Sequence, residues 1–477
     1  MSPQRSAPLS FAEPRLRAPL REWVDRSLAD GLSQAKREGK AFLYVSTKRL
    51  EEELPLGVFD SCVADVQFFG SPSRAVLGVG VARSFELGPS KLMGSRARRS
   101  LQRLGPISGA DASEVTVIGG WGFPSARRQR GASAWRDFPP SLWVVPAFTF
   151  TSSGGETRLA LAASVRASSE AAPLLNLYRR LLDEMEPRPR RGDALPMLKR
   201  AQSIPSRKRW ASLAQEAVDS ISKGELEKVV LSRALALTFH HDLSAHAVLK
   251  RLVASNPDST VFAVKRRGSV FLGASPESLL SVRRGEVEVD CLAASSPRTG
   301  VEATDDALGA RLLDDPKSRR EHRFVVEAAV GALSPMSSRV EVASAPVLKK
   351  LTAIQHLYTP VKATLREGED VWDAAMALWP NPAIGGEPKD RAVRWIRSSE
   401  ELRRGWYSGV VGVLNARQDQ ADMVVGIRSG VIKGRRAVVY AGAGIVAGSL
   451  PGDELEETGW KLRTMKSALG VEAEDTG

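Results

Sequence analysis

The sequence predicts a protein of mixed helices and strands, and three observations support this prediction. Short apolar runs broken by Gly and Pro, such as AFLYVST (41–47) and SLWVVPAFTFTS (141–152), are typical of β-strands. The stretches 173–185 and 210–223 have the pattern of helices. Hydrophobic residues make up 43% and charged residues 26% of the 477-residue chain, which is the composition of a globular protein with a sizeable core.

Composition divides the chain into three parts. Residues 1–186 contain the short strand-like runs and are predicted to form an N-terminal region of strands and helices. Residues 187–209 form a basic connector that contains proline. Residues 210–470 are denser in motif-like sequence and end in a glycine-rich stretch, so the functional site is expected there.

The stretch GELEKVVLSRALALTF (224–239) predicts a strand that begins with a cation, Lys228. Strand periodicity gives it one bulky face, made of Val229, Leu231, Arg233, Leu235, Leu237 and Phe239. The other face is small or hydroxylated after the lysine, which is typical of a strand that lines a cavity with Lys228 at its mouth. A lysine that marks the solvent end of the strand is the alternative, and this stretch alone does not decide between them.

Two predicted helices carry acidic side chains at regular spacing. Asp315 followed by Pro316 is a typical N-cap and first helical residue, so a helix is predicted to start there. On this helix, Glu321 shares a face with three apolar residues, Phe324, Val325 and Ala328. A carboxylate on an apolar face is costly unless it is paired or binds a metal.

The second acidic helix is predicted in LPGDELEETGWKLRTMKSAL (450–469), where Glu454, Glu457 and Lys461 fall on one stripe. Each stripe by itself is compatible with a salt-bridged surface. Together with a cavity-lining lysine, the two stripes form a possible metal site. Oxygen ligands without Cys, and with few His, suit Mg²⁺.

Charge and cysteine content argue against several classes of protein. The chain has a net charge of +13, but its basic stretches 95–105 and 188–210 lack helix-turn-helix, RNP and zinc-finger patterns, so we expect no nucleic-acid partner. Two widely separated cysteines, the absence of a leader-like start and the absence of a long apolar run predict a cytoplasmic protein without membrane insertion. The absence of GxGxxG and Walker patterns argues against a nucleotide enzyme.

A series of motifs in fixed order resembles one enzyme family. The motifs lie between residues 228 and 462 and read KVVLSR, GASPESLL, HLYTPV, GWYSGVVG, GIRSG and YAGAGIVAGSLPGDELEETGWKL. Their order and spacing are similar to those of the chorismate-utilising enzymes, which comprise anthranilate, aminodeoxychorismate, isochorismate and salicylate synthases. The chain most resembles the isochorismate synthases, and residues 1–186 resemble the N-terminal part of the menaquinone-pathway members. The resemblance implies an α+β fold with large β-sheets flanked by helices, chorismate as substrate and a Mg²⁺ ion.

The resemblance also implies roles for individual residues. Lys228 corresponds to the general base that deprotonates the water attacking C2 of chorismate, and Glu277 to the general acid that protonates the leaving C4 hydroxyl. Glu321 and Glu457 correspond to the Mg²⁺ ligands, with Glu454 in a supporting role. The positions that correspond to substrate contacts are Ala294, Ser295, His356, Ala383, Ile384, Arg428, Gly442 and Lys461. This chemistry requires a lowered pKa for Lys228 and a raised pKa for Glu277.

Two positions distinguish the branches of the family. Anthranilate-type enzymes, which deliver ammonia, carry Gln where this chain has Lys228, and aminodeoxychorismate synthases commonly carry a nucleophilic lysine where it has Ala293. The resemblance thus implies an isochorismate synthase that serves menaquinone or siderophore biosynthesis, needs no amidotransferase subunit and acts as a monomer. A salicylate synthase, which also eliminates pyruvate, and a non-catalytic anion-binding protein stay open as alternatives. The chain departs from the family pattern at Ala294, where Gly is usual, and in WPNPA (379–383), where HPTPA is usual.

Overall fold

Helices flank two large β-sheets in the computed structural model of the chain, which describes residues 18–50, 54–86, 99, 106–109, 112–124, 132–185, 194–350 and 354–471. The α-helices of this part of the chain are α1 (Ala18–Glu38), α2 (Val58–Ser61), α3 (Ala171–Met185), α4 (Arg207–Ser222), α5 (Ala245–Ser255), α6 (Glu302–Asp314), α7 (Pro316–Leu333), α8 (Val371–Leu378), α9 (Lys389–Ser399) and α10 (Pro451–Ala468). Short 3₁₀ helices cover Ala112–Glu114, Ala132–Trp135 and Ser334–Met336. Within the described ranges, no helix has both the length and the apolar character needed to cross a membrane.

The first sheet has thirteen strands, which come from both halves of the sequence. They are β1 (Phe42–Leu50), β2 (Val66–Ser71), β3 (Arg74–Val79), β5 (Ile107–Ser108), β8 (Phe148–Ser153), β9 (Glu156–Val165), β10 (Leu198–Ile204), β11 (Lys228–Phe239), β12 (Thr260–Arg266), β13 (Ser269–Ser275), β19 (Gly386–Glu387), β22 (Ser429–Lys433) and β23 (Arg436–Val446). Their order in the sheet is β10-β11-β23-β22-β13-β12-β2-β3-β8-β9-β1-β5, and β19 pairs with β11.

The second sheet has ten strands. They are β4 (Arg83–Phe85), β6 (Thr116–Trp121), β7 (Ser141–Val145), β14 (Ser278–Arg283), β15 (Glu286–Pro297), β16 (Ser337–Val342), β17 (Val347–Lys350), β18 (Ile354–Leu365), β20 (Val410–Asn415) and β21 (Gln420–Val425). Their order is β16-β18-β15-β14-β21-β20-β6-β7-β4, and β17 pairs with β18.

The predicted helices are present. The helices expected near 173–185 and 210–223 are α3 and α4, and the helix expected in 450–469 is α10. The helix predicted after Asp315 is α7, and the Asp315 carboxylate accepts a hydrogen bond from the N–H of Ser318 at 2.8 Å, as an N-cap should. The predicted α+β fold with large sheets flanked by helices is therefore confirmed.

The two sheets join the predicted N-terminal and functional regions. Strand β12 pairs with β2 in the first sheet, and β20 pairs with β6 in the second, so each sheet mixes strands from residues 1–186 and 210–470. Residues 198–204 of the predicted connector (187–209) form β10, which pairs with β11 at the end of the first sheet. The basic residues of this edge strand are exposed, which is why its sequence resembles a connector.

The bulky face of β11 lies in the core, as predicted, with Val229 and Leu231 both 0% exposed. On the opposite face, Ser232 and Ala234 are also 0% exposed, and Ala234 belongs to an apolar cluster that includes Val411 of β20. The prediction of a cavity is therefore wrong for this part of the face, because the second sheet covers it. On this face Lys228, at the start of the strand, and Ala236 and Thr238, near its end, are partly exposed.

Candidate active site

Two chain crossings between the sheets lie side by side and bring Glu277 near Arg428. Glu277 lies between β13 of the first sheet and β14 of the second, and Arg428 lies between β21 and β22 on the way back. The N–H of Val425 donates to the carbonyl of Glu277 at 3.1 Å, and the N–H of Ala274 donates to the carbonyl of Arg428 at 3.2 Å. Residues that are far apart in sequence are thus held at one point between the sheets.

Lys228 begins β11 beside the end of β23. It pairs with Val446 of β23 and with Glu387 of β19. Its side chain extends over Gly444, because a Cβ added to Gly444 would lie 2.9 Å from Cε and 3.5 Å from Nζ of Lys228. A glycine therefore leaves the room that the lysine side chain occupies.

Glu277 is a partly buried carboxyl under the influence of several positive charges. Burial raises its pKa above the ordinary value. The amide of Asn381 opposes this rise, since Nδ2 donates to Oε1 of Glu277 at 2.5 Å. Three cations oppose it as well, namely Arg428, Lys228 and Lys461. The predicted acid, the predicted base and two predicted substrate contacts therefore share one electrostatic neighbourhood.

Helix α10 presents Lys461 to a carboxylate and to a backbone carbonyl. Its Nζ lies 2.5 Å from Oε1 of Glu457 and donates to the carbonyl of Gly442 at 3.0 Å. Burial would raise the pKa of Glu457, but the hydrogen bond and charge of Lys461 outweigh burial and hold that pKa below its ordinary value. The predicted stripe on α10 thus lies against β23, where Gly442 was predicted to contact substrate.

Glu454 and Glu457 share a hydrogen bond between their carboxyl groups. Burial raises the pKa of Glu454, and the neighbouring Glu457 raises it further, although the hydroxyl of Ser449 donates to Oε1 of Glu454 at 2.7 Å and opposes the rise. Two carboxyl groups in contact repel each other when both are ionised, so a proton or a cation between them is stabilising. Such an oxygen donor pair fits Mg²⁺. Among the side chains that the structure describes, no three His, Cys, Asp or Glu come together as a metal cluster.

The side chain of the third predicted metal ligand, Glu321, lies outside the described residues, although its backbone belongs to α7. The apolar stripe predicted to accompany it is a core face only in part, because Phe324 is 47% exposed whereas Val325 is half-buried and packs against the core. The helix instead buries the neighbouring residues His322, Ala329 and Leu333, on the side where it packs against β15 and β18.

A bulge in the second sheet holds Ala294, Ser295 and His356 together. The register of β15 and β18 shifts between Ala293 and Ser295, and Ser295 pairs with His356. Ala294 has a φ of 51°, a left-handed conformation that costs a residue with a Cβ roughly 1–2 kcal/mol. The left-handed backbone at this position thus explains why glycine is usual there. Burial lowers the pKa of His356, a hydrogen bond with the backbone of Ala294 opposes this, and the side chain of Ser295 lies outside the described part of the chain.

The loop between α8 and β19 carries Asn381 and the two predicted wall residues, Ala383 and Ile384. Ala383 is exposed, and its N–H donates to Oδ1 of Asn381 at 3.1 Å. Ile384 is 2% exposed and belongs to an apolar cluster that includes Val229. Of the two wall residues, only Ala383 is open to solvent.

A buried ion pair beside this loop was not predicted from the sequence. Arg404 is 0% exposed, and its guanidinium contacts the Glu400 carboxylate at 2.6 to 3.1 Å. It also donates to the carbonyls of Ile384 and Val230, at 2.8 and 2.6 Å. Arg404 therefore ties the loop to β11 two residues beyond Lys228. In ELRRGW no pattern separates it from the adjacent Arg403, so the sequence offered no signal.

Known proteins match this chain over most of its length. The family model described as chorismate binding enzyme matches residues 30–470. The isochorismate synthase MenF of Bacillus subtilis (strain 168) is 36% identical over 356 residues, which are 75% of this chain and 75% of that protein. The salicylate biosynthesis isochorismate synthase of Pseudomonas aeruginosa is 38% identical over 269 residues, 56% of each chain.

A solved structure has the same fold. MenF, the menaquinone-specific isochorismate synthase from Escherichia coli, superimposes with a TM-score of 0.78 at 24% identity, and the match covers 94% of this chain and 99% of that one. Together with the family model, which spans nearly all of the described residues, this likeness agrees with the resemblance found in the motifs. The chain therefore belongs to the family of chorismate-binding enzymes.

Proposed function

We propose that this enzyme converts chorismate to isochorismate, with Lys228 as general base and Glu277 as general acid. The observation that carries the proposal is that backbone hydrogen bonds hold the chain crossings of Glu277 and Arg428 side by side, with Lys228 and Lys461 close enough to act on the same carboxyl. Burial keeps the pKa of this carboxyl above its ordinary value in spite of the three cations, which suits a proton donor. The proposed acid, which needs a raised pKa, and the proposed base, which needs a lowered pKa, thus share one site. The cations of this site suit a substrate with two carboxylates.

In the proposed reaction, Lys228 takes a proton from water while the water oxygen forms a bond to C2 of chorismate. The ring double bonds shift, and the bond between C4 and its hydroxyl oxygen breaks. Glu277 donates a proton to the departing hydroxyl, which leaves as water. One water enters and one leaves, so the reaction is an isomerisation, and the proton on Lys228 returns to Glu277 through solvent before the next turnover.

Substrate binding is assigned to the positive side of the site. Arg428 is held at the sheet crossing by a backbone hydrogen bond, and Lys461 is held on the carbonyl of Gly442 at 3.0 Å. Both cations are partly buried, where their attraction for a carboxylate is screened less than in water. We therefore assign the carboxylates of chorismate to Arg428 and Lys461.

We propose Mg²⁺ as the cofactor, held by Glu321 and Glu457 with Glu454 in support. The proposal is supported by the contact between the carboxyl groups of Glu454 and Glu457, which favours a cation next to them. When bound, the ion supplies positive charge to the ring carboxylate of the substrate. Lys461 already holds Glu457 in its ionised form, as a metal ligand must be.

We further propose that the enzyme acts as a monomer in the cytoplasm, without an amidotransferase subunit. Lys228 stands where ammonia-using relatives carry glutamine, so water rather than ammonia is the expected nucleophile. Both cysteines, Cys62 and Cys291, are free and buried, which suits a reducing compartment. Size-exclusion chromatography of the purified protein tests the monomer, and glutamine-independent turnover tests the missing subunit.

Product analysis tests the proposed function. Purified protein is incubated with chorismate and Mg²⁺, and the products are separated by chromatography, with Lys228→Ala as the inactive control. Isochorismate as the product supports the proposal. Salicylate together with pyruvate would assign the chain to the salicylate synthases, and no turnover would leave a non-catalytic anion-binding protein.

A further inference from the structure

The side-chain amide of Asn381 has a fixed orientation. Its Oδ1 accepts a hydrogen bond from the backbone N–H of Ala383 at 3.1 Å, and its Nδ2 donates to Oε1 of Glu277 at 2.5 Å. A backbone N–H can only donate, so the oxygen of the amide must point to Ala383. The amino group must therefore point to Glu277, and the usual ambiguity between the two ends of an amide does not arise.

This orientation restricts where Glu277 can hold its proton. The amino group of Asn381 has two donor hydrogens and no acceptor, so Oε1 of Glu277 must act as the acceptor between them. In a carboxylic acid the carbonyl oxygen is a stronger acceptor than the hydroxyl oxygen, so the hydrogen bond from Nδ2 to Oε1, at 2.5 Å, favours Oε1 as the carbonyl oxygen. When Glu277 is protonated, Oε2 is consequently the favoured position of the proton.

We propose that Asn381 is a positioning residue that keeps the acid proton of Glu277 on Oε2, the oxygen that then faces the leaving group. The inference rests on the proposed function, since Glu277 is the acid only in that reaction. A threonine, usual at this position, can rotate its hydroxyl to donate or to accept and cannot impose the same restriction. The inference thus gives the asparagine in WPNPA a function in catalysis.

The surrounding loop holds Asn381 in place. Its carbonyl accepts from the N–H groups of Ile384 and Gly385, at 3.2 and 3.0 Å. At the start of the loop, the indole of Trp379 donates to the carbonyl of Ser408 at 2.9 Å, and Lys389 Nζ donates to the carbonyl of Trp379 at 2.8 Å. The amide is thus positioned from both ends of the loop, as a residue that orients another must be.

The sharpest test is Asn381→Asp, which has nearly the same shape and can keep the bond from Ala383. It replaces the donor facing Glu277 with an acceptor, so the two carboxyl groups can share a proton on Oε1. We expect kcat to fall about tenfold or more with KM within about twofold, because the acid proton is misdirected. We expect the alkaline limb of the kcat profile to rise by about one pH unit, since a second carboxylate favours the protonated form. Arg428, Lys228 and Lys461 are the charged groups that face Glu277 in both proteins.

A matched control is available in the same chain. Asn415 also donates from Nδ2 to a carboxylate, Oδ1 of Asp419, at 2.6 Å. Asn415 is the last residue of β20 and lies at the turn of the β20–β21 hairpin. Glu277 lies near the other end of this hairpin, because its neighbour Ser278 pairs with Val424 of β21. Asn415→Asp therefore introduces the same change away from the site and should leave kcat, KM and the pH limb unchanged.

Infrared difference spectroscopy gives a second readout that does not depend on turnover. The carboxylic-acid band of Glu277 is assigned by its loss in Glu277→Gln, and its titration is compared in wild type, Asn381→Ala and Asn381→Asp. The inference predicts that the band persists to higher pH in both Asn381 variants. An unchanged band and an unchanged pH limb in both variants would overturn it. Failure of the wild type to form isochorismate would instead contradict the proposed function.

Discussion

The side chain of Lys228 lies over the backbone of Gly444, so that Cε is 2.9 Å from the position that a Cβ on residue 444 would take. The two residues belong to neighbouring strands, because β11 pairs with β23 in antiparallel register. In this register Gly444 is opposite Val230, two residue pairs away from the pairing of Lys228 with Val446. The glycine therefore determines where the proposed base can reach.

Gly444→Ala should reduce activity much more than stability. The added methyl group meets the end of a flexible side chain rather than backbone, so Lys228 can move aside at little cost in folding free energy. A displaced base is expected to lower kcat about tenfold or more. Steady-state kinetics and thermal unfolding measure the two effects. Gly331→Ala is the control, since nothing lies within 4 Å of its added Cβ, and equal kinetics for the two variants would contradict the role of Gly444.

Lys228→Ala should abolish isochorismate formation and leave the fold intact. Lys228 is partly exposed at the start of its strand, so its removal leaves no cavity in the core. Loss of a general base typically lowers kcat on the order of a hundred- to ten-thousandfold. Circular dichroism and chorismate binding, measured by calorimetry, should match wild type. A variant with more than half of wild-type activity would return Lys228 to the interpretation of a lysine at the solvent end of a strand.

Glu457→Gln should raise the Mg²⁺ concentration needed for half-maximal activity. The change preserves the shape of the side chain but removes the negative charge of the carboxylate, which Lys461 stabilises in wild type. Glu321→Gln should have the same effect, because Glu321 of α7 and Glu457 of α10 are proposed to bind the same Mg²⁺ ion. Glu454→Gln should have a smaller effect, since Glu454 is the partner with the raised pKa. A Mg²⁺ titration that matches wild type would remove the corresponding residue from the ligand set.

Arg404→Ala should destabilise the protein strongly. Removing one partner of a buried ion pair leaves Glu400 as an uncompensated buried charge, which costs about 3–5 kcal/mol. The carbonyls of Val230 and Ile384 lose their donor as well. Urea unfolding measures the free energy of unfolding. The adjacent Arg403→Ala is the control, and a similar small change in both variants would show that the ion pair does not stabilise the fold.

Much of the framework could be predicted from local pattern. The N-cap at Asp315, the helix that carries Glu457 and the bulky face of β11 each depend on spacing within one element, and all three are present. Motif order located Lys228 and Glu277, and the structure links the two electrostatically. Local rules are informative here because each element buries one face.

Other features depend on contacts between distant segments. The bond from Asn381 to Glu277 spans 104 positions, and the sequence showed Asn381 only as a departure from a motif. The burial of Arg404 and the covering of Ala234 by the second sheet have the same origin. The connector prediction missed β10 because an edge strand exposes the same basic residues that a loop does. No local pattern reports which distant surface will cover a residue.

The nucleophile is the central claim, and the wild-type protein tests it directly. The protein is incubated with chorismate, Mg²⁺ and excess ammonium in water enriched in heavy oxygen, and the product is identified by mass spectrometry. Because Lys228 can take a proton from water and Ala293 offers no amine, we predict isochorismate that carries one heavy oxygen at C2 and no nitrogen. Appreciable aminated product would contradict the account and move the chain to the nitrogen-transferring branch of the family.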